Sequence, residues 1–142
     1  PTQRSTTGVF SCIRGSRTCF ALTGLSKRQG CVSTSTPESE MVSTSHAVKN
    51  IGLPGLELWN QLLPNNKLRF LEDNQAMLQC VKTGRNPTMR HLARTHKIAL
   101  EWLFKRIMLD RHIKVKYIPT KAQIADLFTK RDVYRCCPWL AA

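Results

Sequence analysis

An α/β fold is predicted by three observations. Leu68 and Phe70 alternate with Arg69, and Leu71 adds a second apolar face. That is the pattern of a short strand buried on both sides. The run then passes through Glu72 and Asp73 straight into a helix, with Asp73 or Asn74 as its N-cap. Ala76, Met77, Cys80 and Val81 supply the helical spacing, and Gly84 closes the helix at C′. Third, residues 113–118 alternate cleanly: Ile113, Val115 and Tyr117 point one way, Lys114 and Lys116 the other. Asp73 thus stands at the carboxyl end of a strand, where open α/β sheets place their chemistry. The plainer reading is that Asp73 only caps a helix.

The other elements follow in order. Residues 8–13 and 18–22 have strand composition and flank the basic turn 14–17, which predicts a hairpin. Gly24 to Gly30 reads as a glycine-bounded basic loop, and residues 31–36 as an extended Ser/Thr-rich run. Thr36 is the expected N-cap of a helix, with Pro37 tolerated in the first turn and Glu38 and Glu40 complementing the dipole. Glu40, Thr44, Ala47 and Ile51 share one face, and Gly52, Pro54 and Gly55 break or kink the helix. A second piece follows with Leu56, Trp59 and Leu63 in register. A long basic helix is expected through residues 90–106, with Leu100, Leu103, Phe104 and Ile107 as its apolar stripe. After Pro119, Thr120 to Gln123 is a capping box, and Ile124, Leu127 and Phe128 form the stripe of a last helix. Residues 131–142 read as a tail.

Composition narrows the function. The 142 residues make one domain, and 42% hydrophobic content is ordinary. The charge is not: 22 Lys and Arg against 9 acids give +13. Such a balance favours nucleic acid first and anionic membrane second. No apolar run reaches the length of a membrane span, and no secretory leader is visible, so an intracellular location, cytoplasm or nucleus, is expected. The six cysteines include no C-x-x-C pair and read as thiols in a reducing compartment. The vicinal Cys136-Cys137 could bind a metal or oxidise, though an incidental pair in a tail is the simpler reading. The four histidines contain no H-E-x-x-H pattern.

With so few acids, their placement is informative. Glu40 lies in the first turn of a helix, Asp73 ends a strand, and Asp126 lies in the helix after the last strand. Three carboxylates from separate elements in a phosphate-attracting chain suggest a cation site for phosphodiester chemistry. The basic helix and the Lys114/Lys116 face are the candidate phosphate track: Arg90, Arg94, Lys97, Lys105, Arg106, Lys114 and Lys116. The competing reading of those charges is a solvated face.

At this point the motifs resemble a known family. Thr2-Gln-Arg-Ser-Thr-Thr-Gly8 looks like the T-R/Q-K/R-S-T-S/T-G opening of the ribonuclease H domain in Ty1/copia-type retrotransposon Pol polyproteins. Ser26-Lys-Arg-Gln29 resembles that family's S-K-K-Q, and Ser35-Thr-Pro-Glu-Ser-Glu40 its S-S-T-E-A-E. Asp73-Asn-Gln-Ala76 matches D-N-Q-A, and Arg94-Thr-His-Lys-Ile98 resembles R-T-K-H-I with the middle pair exchanged. Tyr117 to Lys130 is close to Y-V-P-T-x-x-Q-I-A-D-I-F-T-K. The resemblance keeps its order from Thr2 to Lys130; each motif alone is weak, and the ordered set is specific.

The resemblance implies a ribonuclease H-like mixed sheet flanked by helices, in strand order 3-2-1-4-5, over residues 1–130. It implies cleavage of the RNA strand of an RNA–DNA hybrid by two-metal catalysis with Mg²⁺ or Mn²⁺. Glu40, Asp73 and Asp126 fall on its catalytic, metal-binding carboxylates. Its partners would be the hybrid and the upstream reverse transcriptase portion of the polyprotein, with no membrane. One departure matters. The family's first catalytic Asp lies on a strand just upstream of the opening motif, so the central strand is expected to be missing, with impaired activity. Two other readings stay open: a non-catalytic basic nucleic-acid-binding remnant, and an unrelated basic protein whose three acids lie far apart.

Overall fold

The computed structural model describes residues 4–84 and 91–129. Arg90, Cys136-Cys137, Trp139 and the 131–142 tail lie outside the described residues.

β1 (Thr6–Arg14) and β2 (Cys19–Arg28) form an antiparallel hairpin in register from Thr6↔Arg28 to Arg14↔Cys19. Both strands outrun the prediction. Residues 24–28, expected in a loop, are strand because nine residues of β1 offer them backbone partners throughout. The register slips once, between Ser11 and Cys12. Gly24 permits a close approach, because a Cβ there would collide with the Phe128 ring.

α1 (Thr36–Ala47) is capped by Ser35, one residue earlier than expected; its hydroxyl accepts from the Glu38 N–H at 3.3 Å. The expected break does not occur. A π-helical turn (Val48–Gly52) carries α1 into α2 (Leu53–Leu62). The Leu53 N–H reaches back to Val48 O, and Pro54 sits in the first turn of α2, where no donor is required. α2 has no fully buried residue.

β3 (Leu68–Glu72) pairs in parallel with β4 (Ile113–Tyr117), from Leu68↔Ile113 to Glu72↔Tyr117. β3 is not buried on both sides: Phe70 packs on the core, while Arg69 and Leu71 are exposed. The strand is apolar on both faces in sequence, yet only one face has helices against it among the described residues. α3 (Gln75–Thr83) follows, capped by Asn74, whose Oδ1 accepts from Met77 N–H at 3.0 Å. Gly84 ends it with φ 65°, and its missing Cβ leaves room for Phe104 at 2.9 Å.

The long basic helix is corrected to pieces: α4 (Leu92–Thr95), α5 (Leu100–Phe104) and a π-helical turn (Lys105–Leu109). Lys97 adopts φ 55°, and the Ile98 N–H turns back to Leu92 O at 3.1 Å. That fold-back buries Ile98 in the core, which a straight helix would not do. The last segment is 3₁₀, Thr120–Ala122 then Ile124–Phe128, rather than an α-helix, and the expected capping box does not form. The turn closes instead by Ala122 N–H to Pro119 O at 2.8 Å.

Met41, Val48, Met77, Leu78, Val81, Leu92, Ile98, Leu103 and Ile107 make the core, between α1, α3 and α5. Among the described residues the fold is mixed α/β with two separate two-stranded sheets, β1-β2 and β3-β4. The last 3₁₀ segment, with the residue before it, touches both, and α1 packs on β1. α1 meets β1 through Ser43 Oγ to Thr7 Oγ1 at 3.2 Å, and its Glu40 charge acts on Glu72 of β3. The 3₁₀ segment stacks Phe128 on Phe10, ring centroids 6.4 Å apart, while Gln123 just before it donates to Leu71 O at 3.4 Å.

Candidate functional site

The charges of Glu40, 32 positions earlier, and of Asp73, the next residue in the chain, both act on the carboxyl of Glu72. Local chemistry explains why. Asn74 rather than Asp73 caps α3, so the Asp73 side chain is not used as the cap. Glu72, the last residue of β3, is only 4% exposed and points into the same space as Phe70. Burial pushes its carboxyl up to about 8, opposed by a hydrogen bond from Asn74 N–H, and the charges of Glu40 and Asp73 push it further. Crowded carboxylates of this kind are relieved by a proton or by a hard cation.

Asp126 sits in the 3₁₀ segment (Ile124–Phe128), half-buried, between Gln123 against β3 and Phe128 against β1. It is not among the charges acting on Glu72. Among the described residues, no group of three or more His, Cys, Asp or Glu is arranged to hold a metal ion. Carboxylate oxygens such as those of Glu40 and Asp73 suit Mg²⁺ or Mn²⁺; of the predicted carboxylates, Glu40 acts on Glu72, the chain neighbour of Asp73, and Asp126 does not.

A second acidic centre was not assigned from sequence. Glu38, in the first turn of α1, is 2% exposed and fully engaged. Oε2 accepts from the Thr34 N–H at 2.7 Å and from the Thr34 hydroxyl, and Oε1 lies 3.0 Å from His91 Nε2 and 3.2 Å from His96 Nε2. Burial alone would raise its carboxyl, but the Thr34 donors and His91 outweigh it and hold it at about 2. The contact ties α1 to α4 and so steadies the helix that carries Glu40. A glutamate two residues before a predicted site residue, with histidines 53 and 58 positions on, carried no sequence signal for this pairing. Gln29 is a similar junction: its buried amide donates to Thr7 Oγ1 at 3.3 Å and Ser39 O at 2.9 Å, joining the hairpin to α1.

The predicted phosphate track is divided. Lys114 and Lys116 are exposed on β4, and the register sets Arg69 beside Lys114 on the same outward face. Arg69 was not singled out from sequence. Arg94 and Lys97 are exposed in and just after α4, and Arg106 in the π-helical turn. Lys105 is bound to Glu101 at 2.9 Å, which offsets part of its charge. Trp102 is half-buried against the core, with Lys49 Nζ 4.7 Å from its ring, so it serves packing rather than base stacking. No helix among the described residues is long and apolar enough to cross a membrane.

No protein-family model matches the chain, and no solved structure matches it.

Proposed function

We propose that the chain is the greater part of a ribonuclease H-type domain from a copia-like retrotransposon polyprotein, acting on the RNA strand of RNA–DNA hybrids. The observation that carries this reading is that Glu40, on α1, stands near enough to the end of β3 for its charge to act on buried Glu72, the chain neighbour of Asp73. The sheets give further support. Leu68 N–H bonds to His112 O and Ile118 N–H to Glu72 O, so alternate residues of β3 face β4. Arg69 and Leu71 therefore turn their backbone groups the other way, where Gln123 meets Leu71 O. Two separate half-sheets are what a five-stranded sheet leaves when its middle strand comes from elsewhere.

In this reading Glu40 and Asp73 would hold a divalent cation, with Asp126 closing the site in the complete domain. The ion would supply charge stabilisation for phosphodiester hydrolysis. The protein's own part is to hold two carboxylates on rigid elements, α1 and the end of β3, and to attract the backbone of the duplex. Recognition would be by duplex shape and the 2′-hydroxyl.

The test is hydrolysis of an end-labelled RNA–DNA hybrid in Mg²⁺ and in Mn²⁺, by the chain alone and by the chain joined to the family's upstream strand with its Asp. Expected is weak cleavage alone, strong cleavage when joined, and loss of cleavage in Glu40→Ala, Asp73→Asn and Asp126→Asn with hybrid binding kept. Cleavage untouched by Asp73→Asn overturns the assignment. Binding without any cleavage in the joined chain selects the second reading, a basic nucleic-acid-binding remnant, which the +13 charge favours equally.

A further inference from the structure

We propose that Cys12 and Cys19 form a reversible modification site, an intrachain disulfide made by hydrogen peroxide across the β1–β2 hairpin. The hairpin register places the pair. Cys12 stands opposite Ala21 and Cys19 opposite Arg14. Residues opposite one another, or two apart on one strand, share a face, so Cys12, Arg14, Cys19 and Ala21 all lie on the same side. Cys12 and Cys19 are therefore diagonal neighbours on one face of the hairpin. Both are thiols in this structure, and Cys19 is exposed to an incoming oxidant while Cys12 is half-buried.

The surroundings suit the reaction. The turn between them closes by Gly15 N–H to Thr18 O at 3.0 Å, which holds the strand ends together without help from the sulfurs. The register slip at Ser11/Cys12 leaves this end of the ladder able to adjust, which a diagonal disulfide requires. Burial raises the Cys12 thiol, and the Arg14 cation beside it offsets only part of that, which suits Cys12 to the role of the second, attacking sulfur rather than the first to oxidise.

The chemistry balances with peroxide as oxidant. The Cys19 thiolate attacks one peroxide oxygen, the O–O bond breaks, and hydroxide leaves, giving a sulfenic acid at Cys19. The Cys12 sulfur then attacks the Cys19 sulfur, the S–O bond breaks, and the Cys12 proton leaves with that oxygen as water. Two thiols lose two electrons and two protons, and one peroxide becomes two waters.

The whole chain, reduced and then exposed to hydrogen peroxide, is quenched with an alkylating agent and mapped by mass spectrometry without reductant. Expected is a linked peptide pair joining Cys12 to Cys19. It should form at least about tenfold faster than any other cysteine loses its alkylation, and dithiothreitol should reverse it. Cys12→Ser and Cys19→Ser should each abolish that species and leave the remaining partner alkylated. Each tests the site separately, should one of them fail to fold. Preferential linkage to any other cysteine, chain-to-chain linkage, or sulfinic acid at Cys19 in place of the crosslink overturns the proposal.

Discussion

Two glutamates show how the surroundings of a side chain set its chemistry. Glu38 and Glu72 are both almost fully buried, yet one carboxyl is held at about 2 and the other is pushed up to about 8. The difference is supply of donors: Glu38 has the two Thr34 donors and His91, whereas Glu72 has backbone amides only and two like charges. The folded Glu38 carboxyl releases its proton more readily than an unfolded one. Its stabilisation is complete above pH 4.5 and drains as pH falls toward about 2. Glu38→Gln is expected to cost about 2–3 kcal/mol at pH 7, with the gap to the parent closing in acid, as read by urea unfolding at several pH values. Glu72 has the opposite sign. Its folded carboxyl keeps its proton, so stability is complete below pH 4.5 and is lost as pH rises through about 8. Glu72→Gln should therefore gain on the parent as pH rises, by about 2–4 kcal/mol at pH 9. A parent and variant that stay parallel across pH 5–9 would contradict this.

Helix ends decide which acids are left for chemistry. Asn74, not Asp73, caps α3, and Ser35, not Thr36, caps α1. Asn74→Ala should cost about 1 kcal/mol by thermal unfolding, whereas Asp73→Asn should cost nothing, because the Asp73 side chain does not cap the helix. A costly Asp73→Asn would return that residue to a structural role. Both candidate caps were legible in the Asp-Asn pair; which side chain turns back on the helix was not, because adjacent residues differ only in direction. The 92–109 segment was misread for a related reason. Its apolar spacing is helical throughout, but the Ile98 side chain reaches the core only if the backbone turns at Lys97.

Across the molecule, positive charge is spread over several faces, while the charges of Glu40 and Asp73 both bear on buried Glu72. Lys114, Lys116 and Arg69 share the outward side of β3–β4, and Arg94, Lys97 and Arg106 lie on other elements. Binding to an RNA–DNA hybrid should weaken steeply with salt. Lys114→Ala with Lys116→Ala should lower the slope of log affinity against log salt by about 2 if both contact phosphate. An unchanged slope would assign those lysines to a solvated face.

By itself the sequence determined the hairpin, the β3–α3 unit and the strand that begins at Ile113. Each rests on spacing along the chain, which local geometry converts into direction. Only the tertiary structure decided that Glu72 is buried where the Glu40 charge reaches it, that Glu38 sits against two distant histidines, and that the four strands among the described residues divide into two sheets. Those outcomes depend on which surfaces come together, and spacing carries no record of a partner many residues away.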